Sequence, residues 1–406
     1  MPHFTIPNPF KKRKPLRIAE PQTQITKHDW FPGLNALRFI AAALVIIMHV
    51  HNNQGIAGLP QLPAFPVLFK GLYAVSFFFV LSGFLITFLL LKENNKTGTI
   101  SIRNFYLRRV FRIWPLYFIV IAAGAFFYWQ LVPQLGLKYD DNYSHALAIT
   151  LYSFFLANVM NSIYHVGGIL HVTWSVAVEE QFYLFWAPLS KRFIKKLPVL
   201  IAVVSLFSLA VNIVNTLNVF HYPDEVKQVI STLQFHYMGI GAGFAWLVFH
   251  HKKQLLALKV FSNRMLQAGL TILIIGFFLF YQKTVLGEVL IPLPLGLLFG
   301  WLIVNVSVNE KRIFTLEHPV LHYLGKVSYG IYMYHMFVVY AVSFLFAKVT
   351  VLQSVPVVYF MSFYGLVFLV ATGLASLSYY IIELPVLGLN KVFTKKPDSK
   401  LVLKAA

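Results

Sequence analysis

Residues 31–51 read FPGLNALRFIAAALVIIMHVH, an apolar run of the ~20 residues that a helix needs to cross the hydrocarbon core of a bilayer. Arg38 and His49 lie inside it, ahead of a further histidine, His51, at its end. An arginine in a membrane helix costs roughly 3 kcal/mol or more, so its presence there points to a functional site. The eleven-residue spacing amounts to three helical turns, which aims both side chains the same way and leaves them about 16 Å apart along the axis. They mark two stations on one path rather than a contacting pair.

The remainder of the 406 residues is of the same kind, 58% hydrophobic and 12% charged. Apolar runs near 32–51, 71–91, 113–132, 174–190, 197–217, 228–249, 265–282, 288–306, 328–347 and 356–382 predict an all-α polytopic membrane helix bundle with about ten transmembrane helices. No long polar stretch separates them and no internal repeat is evident, so one membrane domain is expected over 31–385, between basic tails at 1–30 and 386–406. The lysine cluster Lys11–Lys14 is followed by polar residues rather than an apolar core, which does not read as a cleavable signal peptide. The chain has no cysteine, which excludes disulfides, Cys-ligated metals and thiol catalysis.

A net charge of +20 in a soluble protein would suggest nucleic acid, but its distribution argues otherwise. With the N-terminus inside, the segments expected on the cytoplasmic side hold 28 of the 34 Lys and Arg residues, and the external segments hold five. This is the positive-inside pattern of a multi-pass protein with both termini cytoplasmic, and the lipid bilayer rather than nucleic acid is the partner. The apolar stretch Ala148–Val159 is short for a span, and counting it as a crossing would put Lys191, Arg192, Lys195 and Lys196 outside. It is read as a re-entrant segment, tolerated where protein covers it.

Four polar constellations stand out. In the first, Arg38 lies in the inner half of its span and His49 near the external end, where an imidazole suits a general base acting on a hydroxyl. The second, HVTWSVAVEEQFYLFW at 171–186, carries Trp174, Ser175, Glu179, Glu180 and Tyr183. Glu179 is expected at the depth of His49, where a carboxylate could orient the imidazole as in a catalytic triad; a structural ion pair with Arg38 is the alternative. In the third, Arg103, Arg108, Arg109 and Arg112 open the next span at the cytoplasmic edge. Such a cluster serves either as a topology anchor or as a bidentate seat for phosphates. In the fourth, Ser328, Tyr332 and His335 share one helix face and either line a passage or join helices. His318 and His322 have metal-like spacing, but Pro319 intervenes and no acidic HExxH context exists; they are read as loop residues, and no metal site is expected. Walker, GxGxxG and GxSxG motifs are absent.

Together these residues resemble the integral-membrane acyltransferases of the acyltransferase-3 type, which O-acylate cell-surface glycans in bacteria. The matching elements are LNALRFIAAALVIIMH, FFFVLSGFLIT, RRVFRIWPLY, WSVAVEEQFY, SYGIYMYH and IIELP, in family order from about residue 30 to 385. Asn35 stands where the common LDGLR form of the first motif has aspartate. The resemblance implies His49, Arg38 and Glu179 as catalytic residues and an acyl-CoA, acetyl-CoA by family habit, as co-substrate. It places the coenzyme A phosphates on Arg108, Arg109 and Arg112 and leaves no permanently bound cofactor. A carbohydrate acceptor then completes the substrates and a bacterial inner membrane is the implied location; Trp174, Ser175, Tyr183, Ser328, Tyr332 and His335 are expected as further substrate-binding residues. Some members carry a fused extracellular esterase-like domain; none is legible here, so a further partner is expected to be separate. A proton-coupled glycan transporter is the alternative, since intramembrane His, Glu and Arg also suit proton coupling. Its hallmark, paired broken helices in two related halves, is not seen. A non-catalytic component of an envelope complex is a third class.

Overall fold

The computed structural model describes residues 31–394 apart from Ala64, 137–141 and His165, so the expected N-terminal tail and residues 395–406 lie outside the described residues. Every described element is helical. The long helices are α1 (Leu34–Ile56), α2 (Gly71–Thr97), α3 (Ile102–Phe126), α4 (Thr173–Arg192), α5 (Leu197–Thr216), α6 (Phe235–Ala257), α7 (Arg264–Phe280), α8 (Pro292–Ser307), α9 (Ser328–Lys348) and α10 (Pro356–Ser378). One falls on each apolar run. Among the described residues six helical stretches are long and apolar enough to cross a membrane, those built on α1, α2, α3, α5, α9 and α10; α7 and α8 are shorter apolar helices. The hydropathy of α4 is lowered by Glu179, Glu180 and Gln181 and by its terminal Lys191 and Arg192, and α6 carries Lys252 and Lys253.

Three boundaries differ from expectation. Helix α3 begins eleven residues before the expected span, because Ser101 caps it by accepting from the Asn104 amide at 3.3 Å; Arg103 to Arg112 therefore lie on the helix itself. The re-entrant stretch is two helices, His145–Ser153 and Ala157–Tyr164, parted at Phe155 with φ 56°. At 1.5 Å per residue neither reaches across a bilayer. The chain after residue 385 continues as a helix, Leu384–Thr394, which returns to α3 through a stacked pair of Phe111 and Phe393 rings with centroids 5.6 Å apart.

Helix α1 touches two apolar clusters. Leu34, Leu37, Ala41 and Val45 face the main core formed with α2, α3, α4, α6 and α8, whereas Ile46 and Val50 pack on α9 and α10. At about 100° per residue, Arg38 and His49 project between these faces. The two ionisable groups thus sit in the groove where the clusters meet. Helices α2 and α6 pack at backbone distance: a Cβ on Gly83 would strike the Met238 carbonyl, and one on Gly241 the Val80 carbonyl. Small residues permit this approach inside a membrane, where packing replaces the hydrophobic drive. Gly241→Val is therefore expected to force the pair apart and cost about 1–3 kcal/mol, read as a lower melting temperature of the detergent-solubilised protein; an unchanged melting curve would contradict the close packing.

Candidate functional site

The polar side chains of the bundle gather at two levels. At the first, the end of α2 meets the start of α3. Glu93 accepts from Arg108 Nη2 at 2.8 Å and from the Ser101 amide at 2.9 Å. Arg108 is thus committed to a structural pair. Arg109 lies over the rings of Phe105 and Tyr183, 5.6 and 5.4 Å from their centroids, and its buried Nε has no partner. Arg112 is exposed and within electrostatic reach of Arg38, Glu179 and Glu383.

Arg38 donates from Nη1 to Asn35 Oδ1 at 3.1 Å, one turn earlier on α1. The Asn35 amide in turn faces His322 Nδ1 at 3.2 Å. An amide nitrogen can only donate, so Nδ1 must accept. Burial and the neighbouring Lys326 both hold His322 below the usual histidine range, which favours the neutral ring that this bond needs. Asparagine therefore bridges Arg38 and His322 by accepting with its carbonyl and donating with its amide, whereas an aspartate would need Nδ1 protonated as the donor. His322 lies on the helix Pro319–Lys326, and His318 caps that helix by accepting from the Val320 amide at 3.3 Å. His318 thus ends the preceding loop as expected, whereas His322 is helical, and no group of three metal-ligating side chains occurs among the described residues.

Glu179 belongs to this level. It accepts from the Tyr183 hydroxyl at 3.1 Å, which also pairs with Ser82 of α2, and Glu180, Arg109 and Arg112 act on it electrostatically. The groups acting on His49 are instead His335 and His171. The expected pairing of Glu179 with His49 is not formed. Depth along an axis can be estimated from sequence, but the bonds that join α4 to α2 turn Glu179 toward the arginines. Glu180 accepts from Trp114 Nε1 at 3.2 Å.

At the second level the His49 and His335 rings lie with centroids 5.1 Å apart. His335 is fully buried and its Nδ1 is 2.5 Å from the Tyr332 carbonyl. A carbonyl only accepts, so Nδ1 carries the proton and the neutral ring presents a bare Nε2, which has no partner. Tyr332 donates to the Val172 carbonyl at 3.2 Å and meets the Ser175 hydroxyl at 2.8 Å, tying α9 to α4. Trp174 packs edge-on against Phe79 of α2. Ser328 donates to the Gly325 carbonyl at 2.8 Å and so helps to start α9. One residue of the arginine level was not singled out by sequence reasoning: Glu383, buried at the end of a π-helical turn. Its signal is a lone carboxylate in the apolar run SLSYYIIELPVL.

The chain is thus a membrane helix bundle with an arginine cluster at one level and a histidine pair at another. Residues 31–376 match the acyltransferase domain of the acyltransferase-3 type, and the chain belongs to that family. It is similar to a protein described as a candidate O-acetyltransferase in Staphylococcus aureus strain COL, 29% identical over 389 residues, covering 89% of this chain and 58% of that one. It is also similar to the O-acetyltransferase OatA of Staphylococcus aureus strain NCTC 8325, 26% identical over 375 residues, covering 88% of this chain and 57% of OatA. The chain thus spans less than two thirds of the length of these relatives. No solved structure matches it.

The arginines are expected to differ as donor contacts. Arg112→Ala should weaken coenzyme A binding about tenfold, the size of one charge-assisted hydrogen bond, and Arg108→Ala should leave it nearly unchanged because Glu93 holds that side chain. Calorimetric titration at low and high salt checks both, and equal losses in the two variants would contradict the division.

Proposed function

We propose that the chain is a membrane-embedded O-acyltransferase, moving an acyl group, acetyl by family habit, from acyl-CoA to a hydroxyl of a cell-envelope or exported carbohydrate. Membership of an acyltransferase family favours this over the transporter alternative. The observation that carries the reading is the path along α1, from Arg38 beside the arginine level to His49 against His335. Arg109 and Arg112 are assigned to the phosphates of coenzyme A, which a cationic cluster beside a groove suits. The pantetheine arm then runs along α1 and brings the thioester to His49.

There His49 takes the proton of the acceptor hydroxyl as the oxygen attacks the thioester carbonyl carbon. The carbon–sulfur bond breaks as the new ester forms, and the coenzyme A thiolate recovers the proton from the imidazolium. His335, fixed by its bond to the Tyr332 carbonyl, orients the His49 ring. Glu179 and Glu383 offset part of the arginine charge, which helps Arg38, Arg109 and Arg112 to stand together in the bundle. The excess of Lys and Arg on the segments at the arginine end supports an inner-membrane placement with that end toward the cytoplasm.

His49→Ala is expected to lower turnover by ~10²–10⁴, the usual worth of a positioned base, with coenzyme A affinity retained; an assay with labelled acetyl-CoA reads both, and near-normal turnover would remove His49 from this role. Glu179→Gln should raise KM for acyl-CoA and leave the pH profile of turnover in place, because Glu179 stands with the arginines. A displaced profile would instead tie it to the base.

A further inference from the structure

A cavity of about 300 Å³ opens among the starts of α2, α4 and α6, the end of α5, and the segments between them. Ser76 of α2 is in its wall, whereas Glu93 at the other end of α2 holds Arg108. Those seventeen residues of helix separate the cavity from the arginine level by about 25 Å. The wall mixes polar and apolar side chains and is uncharged in sum. Five amide side chains line it, Asn158, Asn161, Asn212, Gln228 and Gln234, with the rings of Tyr73 and Trp174. Its lysine, Lys283, is neutralised by Glu288 at 3.1 Å, and Glu288 also accepts from Tyr73 at 3.1 Å.

This chemistry does not suit a nucleotide, whose phosphates require unpaired cations. It suits hydroxyl groups, which both donate and accept as amides do, on a small body with apolar faces that can lie against aromatic rings. A second observation also points to a ligand of this kind. His236 lines the cavity at 2% exposure, with Nδ1 3.3 Å from the Ser208 hydroxyl and Nε2 without a partner. A buried polar atom left unpaired costs about 1–3 kcal/mol, and a hydroxyl can satisfy Nε2 in either tautomer. His171, also in the wall, is within electrostatic reach of His49 and links the cavity to the proposed base.

We propose that this cavity is the acceptor site, holding one neutral sugar unit between its amides and aromatic faces and presenting a hydroxyl past His171 to His49. The assignment rests on the acyltransferase reading, and the two can fail separately. The chain contains no cysteine, so Ser231→Cys places a single thiol on the exposed wall of the cavity. In cells producing the full chain, a membrane-impermeant polyethylene-glycol maleimide is expected to label this thiol from outside. Labelling should abolish incorporation of a radiolabelled acetate pulse into envelope carbohydrate, relative to the same variant unlabelled. Hydrolysis of acetyl-CoA by the labelled protein after solubilisation should persist. His236→Leu, which keeps bulk and removes the polar atoms, should likewise lose transfer and keep hydrolysis. Normal transfer by the labelled protein, or labelling only from the cytoplasmic face, would overturn the assignment. Absence of acetyl transfer in cells producing the unmodified wild-type protein would overturn the acyltransferase reading and this assignment with it.

Discussion

A guanidinium within a membrane helix must be met by protein, because lipid offers it nothing, and the arrangement around Arg38 follows from that requirement. Asn35 accepts one of its protons, while Glu179 lies close enough to offset its charge. Helix α1 packs against α2, α9 and the helix Pro319–Lys326, and Glu179 acts on Arg38 from α4. The apolar faces of α1 therefore divide between two clusters. The same division exposes His49 to the groove three turns further along.

Charge and polarity are sorted along the bundle. The arginine level uses cations, with carboxylates that offset part of their charge; the cavity end uses amides, hydroxyls and rings with one internally neutralised ion pair. The two ends are joined by α1 and by the Tyr332 link between α4 and α9. A donor with phosphates and an acceptor with hydroxyls can thus be kept apart until the thioester and one hydroxyl meet at His49.

Helix positions were legible because a bilayer-length apolar run has few alternatives, and α1 to α10 all fall on runs that the sequence marks. The Arg38 and His49 stations were legible for the same reason, as costly residues in such a run. Partner choice was not. Glu179 was expected beside His49 from depth alone, yet Tyr183 and Ser82 set the rotation of α4 and turn it to the arginines. Arg108 looked equivalent to Arg112 until Glu93, fifteen residues earlier, was seen to hold it. The cavity was largely illegible because its wall comes from segments between residues 72 and 292, of which the one at His171 and Trp174 belongs to a motif.

The central claim is that donor and acceptor approach from opposite faces of the membrane. Right-side-out vesicles carrying the protein, loaded with labelled acetyl-CoA and given envelope glycan only outside, test it most directly. The account predicts that label appears on the external glycan and disappears with His49→Ala. Label found only on glycan enclosed together with the donor would contradict it.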